Sequence, residues 1–259
     1  MHKLIPLWPN QAAPYTEQSP EQAQPSLTAY EVEGAKVAVV VCPGGAYMNK
    51  AEHEGGPVAE MFNASGIAGY VLDYRVQPCH HFAPLSDALR AIRVVRSLGY
   101  KYVGILGFSA GGNLCCSAAV HWNAGDPDAA DPLERLSARP DFFVPCYPVA
   151  SFTQYTHIGS VEALLGDADP DDHVLRRYFS TELNVTPDTP PAFIWHTAND
   201  ELVPVENSLL LAGALSRAGV YFELHVYPDG PHGMGLAEDN PDARRWAGEC
   251  VHFIQLLCV

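Results

Sequence analysis

Basic residues are scarce in this chain: 15 Lys and Arg stand against 30 Asp and Glu, a formal charge of −15. Nucleic acid and anionic membrane surfaces both require a basic face, so neither is expected as a partner. Long apolar runs are missing too, and none approaches the roughly eighteen residues that would cross a bilayer as a helix. The opening "MHKLIPLWPN" has no basic stretch leading into an apolar core and a small-residue cleavage site. No secretory leader is read there, and a cytoplasmic protein is expected. The seven cysteines (Cys42, Cys79, Cys115, Cys116, Cys146, Cys250 and Cys258) are odd in number and include no C-x-x-C pair. That argues against a disulfide framework and against a zinc site, and for reduced thiols. Without a leader the sequons at Asn63 and Asn184 carry no weight.

What is present is an ordinary globular composition, 47% hydrophobic and 17% charged over 259 residues, enough for one domain with a sizeable core. Residues 1–26, rich in Pro and Gln, are expected to lie as an extended arm over the surface. Apolar β-type runs follow at 27–33, 37–42, 69–74, 102–108, 142–149, 192–198 and 221–228. They alternate with helical patterns at 57–65, 84–99, 110–122, 204–218 and 242–257. In 84–99 the residues Leu85, Ala88, Leu89, Ile92, Val95 and Leu98 recur at three and four, an amphipathic helix. Continuous apolar strands alternating with helices predict an α/β fold around a mainly parallel sheet. Two stretches, 123–140 and about 150–190, break the alternation, with short helical pieces at 160–166 and 171–179. Inserts of that length on a compact sheet serve as lids, binding walls or surface loops.

The chemistry gathers where strands end. Gly107-Phe108-Ser109-Ala110-Gly111 matches G-x-S-x-G, with a strand before it and a helix after it. This is the pattern of a nucleophile elbow, in which small neighbours tolerate a strained serine and the helix start offers backbone N–H groups to an oxyanion. A serine hydroxyl needs a base, so an acid and then a histidine are expected downstream. Asp200 in "NDELVP" and His232 in "DGPHGMG" each follow a strand and appear in that order. Glu201 and Asp229 stand as alternative acids. His196 lies within a strand and reads as structural; His80 and His81 lie in a polar loop and read as solvated. A second glycine-rich turn, Pro43-Gly44-Gly45-Ala46-Tyr47, would supply N–H donors from Gly45 or Ala46 beside that of Ala110. No metal or organic cofactor is needed for such chemistry.

On these stretches the chain resembles an α/β-hydrolase, and more narrowly the bacterial acetyl-xylan and carbohydrate acetyl esterases related to the prolyl-oligopeptidase and hormone-sensitive-lipase groups, some labelled "endo-1,4-β-xylanase B-like". The likeness is carried by "LWPNQAAPY", "PGGAY", "HEGGPVAEMFNASGIAGYVLDYRV", "PLSDALRAIRVVRS", "GFSAGG", "TANDELVPVENSLLLAGAL" and "PDGPHGMGLA". It implies an α/β-hydrolase fold over a single domain, 1–259, with a small lid-like insertion. It also implies Ser109, Asp200 and His232 as the triad and the "PGGAY" loop as oxyanion hole. Two positions depart from the usual pattern, Ala46 for a third glycine and Asn113 for the histidine of GFSAGGH, and both are expected to bear on substrate preference. Glu54 and Arg75 match family positions and read as structural partners near the site.

The expected activity is removal of short acyl groups, foremost acetyl, from a sugar or xylo-oligosaccharide. Tyr47 and Tyr155 are candidate substrate contacts, and Tyr155, His157 and Trp122 are candidates to stack on a sugar. The alternatives are a general short-chain carboxylesterase and a small peptidase of the prolyl-oligopeptidase type, though 259 residues leave no room for the gating domain of the latter. A non-catalytic scaffold would have tended to lose a triad member, and a lipase would carry a long apolar lid. An open sheet edge would suit a homodimer, with no particular residues pointing to it.

Overall fold

In the run Val37–Cys42 (β3), Val39 and Val41 face one apolar layer while Ala38, Val40 and Cys42 face another. Successive strand side chains point to opposite faces, so a strand apolar at every position must be covered on both sides. The computed structural model, which describes residues 2–22, 24–166 and 173–258, shows what covers it. Helices Phe82–Ser97 (α2), Ser109–Val120 (α3) and Glu206–Ala218 (α6) pack on one face. Helices Gly56–Asn63 (α1) and Trp246–Leu257 (α7) pack on the other, through Val58, Phe62, Trp246, Cys250, Phe253 and Ile254.

The remaining strands are Lys3–Pro6 (β1), Ser26–Tyr30 (β2), Ala68–Asp73 (β4), Tyr102–Phe108 (β5), Phe143–Cys146 (β6), Ala192–Thr197 (β7) and Phe222–Tyr227 (β8). They form one sheet in the order β1-β2-β4-β3-β5-β6-β7-β8. The β1–β2 and β2–β4 pairs are antiparallel and the others parallel. The expected mainly parallel α/β sheet is therefore present, and the C-terminal ends of β3, β5, β7 and β8 open onto a shared edge. Among the described residues no helix is long and apolar enough to cross a membrane.

Three expectations change. The first residues are no loose arm: Lys3–Pro6 pairs with β2 as an edge strand, and Leu7 and Trp8 are buried. The Arg75 and Arg90 guanidinium groups lie over the Trp8 ring at 5.8 and 5.5 Å, so Leu7 and Trp8 are anchored in the core while Leu4 stays exposed. The insert 123–140 belongs to the body as well, because Asp131 and Glu134 pair with Arg90 and Arg93 of α2. In the second insert, Ile158–Leu165 (α4) and His173–Phe179 (α5) are helical, while positions 171 and 172 of the expected 171–179 piece lie outside the described residues. His80 and His81 are not solvated. The His80 ring hydrogen-bonds the Ala163 carbonyl at 3.1 Å and the His81 ring that of Leu165 at 2.6 Å, while the His81 amide donates to Leu164 O at 2.7 Å. The last carbonyls of a helix have no partner within it, and these groups satisfy them.

Candidate active site

Strand β5 ends at Phe108 in extended backbone, and Ser109 turns at φ 53° to begin α3. A left-handed conformation costs a non-glycine residue about 1–2 kcal/mol, which the packed sheet and helix around it hold in place. The flanking glycines have a steric reason. A Cβ on Gly107 would sit 1.9 Å from Gly111 O, and one on Gly111 would sit 2.2 Å from Cys42 O. The G-x-S-x-G spacing is what lets strand and helix close this tightly around the serine.

The Ser109 hydroxyl lies 2.8 Å from His232 Nε2, to which it can donate. His232 Nδ1–H donates to Asp200 Oδ2 at 2.6 Å, which fixes Nε2 as the acceptor of the pair. Asp200 follows β7, and its Oδ1 accepts the backbone N–H groups of Leu202 and Val203 at 3.0 and 2.9 Å. His196 Nε2 lies 3.3 Å from the other carboxylate oxygen. Burial by itself raises the Asp200 pKa, but hydrogen bonds from His196, His232 and Val203 outweigh it and hold the carboxyl well below its usual range. The group is ionised at any pH where an imidazole titrates. Of the alternative acids, Glu201 is exposed, and Asp229 is exposed and paired with the Asn199 side-chain amide.

The glycine-rich loop after β3 reaches the same serine. A Cβ on Gly44 would lie 3.1 Å from Ser109 Cβ and 2.8 Å from Phe108 O. Gly45 adopts φ 133° and Ala46 φ 56°. Among the described residues, the backbone N–H groups of Gly45, Ala46 and Ala110 donate to no protein acceptor. They are free to serve an oxyanion. Buried Glu54 braces the loop: Oε2 accepts Gly44 N–H at 2.7 Å and Oε1 accepts the Tyr147 hydroxyl at 2.6 Å. The Tyr147 oxygen accepts Gly235 N–H at 2.8 Å, and its ring stands edge-on to His232 with centroids 4.9 Å apart. Burial, with the Glu54 carboxylate adding to it, pushes the Tyr147 phenol well up, so it stays a donor. One buried tyrosine thus ties the glycine-rich loop after β3 to the loop that carries His232. His53 Nε2 adds a bond of 2.9 Å to Gly233 O.

Other expected site residues lie elsewhere. Tyr47 is 1% exposed, and its hydroxyl donates to Asn113 Oδ1 at 2.9 Å, so its side chain belongs to the core rather than to a substrate. Asn113 is fully buried and also donates to the carbonyls of Val149 and Phe179, at 2.9 and 3.0 Å. It cross-braces the glycine-rich loop after β3 and the insert. Trp122 follows the far end of α3, roughly 18 Å from Ser109 for a twelve-residue helix, and packs under the Arg139 guanidinium. It is removed from the site. Arg75 forms a buried pair with Asp87 at 2.6 Å and braces the end of β4 against α2. Tyr155 is half exposed, and burial, with the charge of His232 after it, holds the His157 imidazole below the ordinary histidine range. Tyr147 escaped the sequence reading because nothing local marks it; it follows β6, far along the chain from Glu54 and Gly235.

Known proteins agree with this architecture. The BD-FAE family profile matches residues 28–215. "Endo-1,4-beta-xylanase B" of Butyrivibrio fibrisolvens is 40% identical over 83% of this chain, and "Acetylxylan esterase" of Xylanibacter ruminicola 35% over 77%. The chain spans only 35% and 41% of the length of those two relatives. The crystal structure of an acetyl ester-xyloside bifunctional hydrolase from Caldicellulosiruptor lactoaceticus superposes with a TM-score of 0.93 at 44% identity, covering 99% of this chain and 96% of that one. The chain, an α/β-hydrolase in its sheet order and helix layers, belongs to the BD-FAE family.

Proposed function

We propose that this protein is a serine carboxylesterase that removes short acyl groups, foremost acetyl, from a sugar or xylo-oligosaccharide. The observation that carries the reading is the chain of hydrogen bonds from Ser109 through His232 to Asp200, at 2.8 and 2.6 Å, beside three unengaged backbone N–H groups. The activities of the relatives named above supply the substrate class. His232 takes the Ser109 proton as the oxygen attacks the ester carbonyl, and ionised Asp200 stabilises the imidazolium that results. The N–H groups of Gly45, Ala46 and Ala110 hold the tetrahedral oxyanion; loss of one such donor costs about 100- to 1000-fold in rate. His232 then returns the proton to the leaving alcohol, and the same base activates the water that clears the acyl-enzyme.

All seven cysteines are free and six are buried, including the adjacent Cys115 and Cys116, which supports a reducing, cytoplasmic setting. The open sheet edges, β1 and β8, are the surfaces a homodimer would use. The test is acetate release from acetylated xylo-oligosaccharides and from p-nitrophenyl acetate, wild type beside Ser109→Ala. Release from both, lost in the variant, is the expected result. Cleavage of the p-nitrophenyl ester alone overturns the sugar, and undiminished turnover by Ser109→Ala overturns the nucleophile.

A further inference from the structure

His157 takes no part in the hydrogen bonds of the triad, but the charges of His232 and Asp200 act on it, and the Tyr155 carbonyl two residues before it is held at 2.9 Å by Asn207, the neighbour of the Ser208 that bonds His196. It is the N-cap of α4: its Nδ1 accepts the Ser160 backbone N–H at 3.3 Å and lies 2.8 Å from Ser160 Oγ. A ring nitrogen that accepts an amide proton carries none of its own, so in the neutral ring the proton sits on Nε2. Burial, and after it the nearby His232, keeps the His157 pKa below the ordinary histidine value, which favours that neutral form. Among the described residues Nε2 has no acceptor.

The helix that carries this ring is held at its other end. The His80 and His81 rings and the His81 amide engage the carbonyls of Ala163, Leu165 and Leu164. A donor of fixed tautomer on a helix pinned at both ends is preorganised for a ligand. Its immediate neighbours are exposed apolar or aromatic groups: Tyr155 at 51% and Ile158 at 53%. The main chain at Tyr155 is itself fixed, its carbonyl accepting from Asn207 Nδ2 at 2.9 Å.

The chemistry of the ester says which part of it needs such a donor. An acetyl group has one acceptor, the carbonyl oxygen, and that oxygen goes to the N–H groups of Gly45, Ala46 and Ala110. A further neutral donor beside the triad finds use only with an alcohol rich in oxygens. We infer that His157 is a specificity-determining residue, whose Nε2–H binds a hydroxyl or ring oxygen of the sugar that bears the acetyl group. This rests on the carbohydrate esterase reading above.

His157→Asn tests it. Asparagine is a strong N-cap whose Oδ1 can take the place of Nδ1 in accepting Ser160 N–H, while its Nδ2 donor ends short of the position of Nε2. His157→Ser, a second capping residue without the ring, guards against a fold-specific failure of the first variant. KM for an acetylated xylo-oligosaccharide should rise about tenfold, the loss of one neutral hydrogen bond, with kcat nearly unchanged. Phenyl acetate, whose alcohol part offers no further oxygen, should be turned over as by the wild type, and melting temperatures should match. Equal losses on both substrates would mean that His157 acts through the triad, and full retention on the sugar would mean that it does not touch it; either overturns the inference alone. A wild type active on phenyl acetate but silent on the sugar overturns the carbohydrate reading and the inference with it.

Discussion

Replacing Tyr147 with phenylalanine removes one oxygen and leaves the ring where it is, in contact with Phe108 at 5.6 Å and with Trp195 and His232 at 4.9 Å between centroids. Two partners are then left buried without it. Glu54 Oε1 loses a donor at 2.6 Å, and Gly235 N–H loses its acceptor at 2.8 Å. A hydrogen bond to a charged group is worth about 1.5–3 kcal/mol, and an orphaned buried amide costs about 1–3 kcal/mol. The variant should therefore be destabilised by about 2.5–6 kcal/mol. At about 2–4 °C per kcal/mol for a domain of this size, Tm falls by about 5–24 °C. The same oxygen couples the oxyanion loop to the histidine loop, and a misplacement on the order of 1 Å can cost about 100-fold in rate. Thermal unfolding followed by circular dichroism, with steady-state kinetics on p-nitrophenyl acetate at a temperature where the variant is folded, reads both effects. A Tm within 2 °C of wild type, with kcat unchanged, would refute the brace, because even the lower bound of about 2.5 kcal/mol predicts a fall of about 5 °C.

Asp200→Asn should lower kcat by about four orders of magnitude, as expected for a Ser-His-Asp triad whose imidazole is pushed to the wrong tautomer; near-wild-type activity would move the acid to Glu201 or Asp229. Because the folded Asp200 carboxyl titrates below its unfolded value of about 3.9, its contribution to stability is complete above that pH and fades as pH falls further toward its lower folded pKa. Urea titrations at pH 7, 4 and 2.5 should show the stability gap between wild type and Asp200→Asn narrowing only in the acid samples. Gly45→Ala places a Cβ 2.3 Å from Asn49 O at φ 133°. It should abolish measurable esterase activity by displacing the oxyanion loop, and retained activity would show that this loop is not the hole.

The order of Ser109, Asp200 and His232 and the apolar strands before each of them are written in the chain, because small residues at tight turns and apolar period are local demands of the backbone. So is the glycine at position 45. The same rules misplaced Tyr47, Trp122, His80 and His81, since an aromatic or a histidine in the connection after a strand or helix reads alike whether it ends in the core, over a helix end or in solvent. Their fates depend on what the fold sets against them: Asn113 against Tyr47, the carbonyls of α4 against His80 and His81. Only the tertiary structure joins Glu54, Tyr147 and Gly235 into one brace across loops from three different strands. A buried hydrogen bond between residues that distant has no period or spacing to announce it; it exists because closing the parallel sheet brings the strand ends to one edge, where each buried polar atom must find a partner.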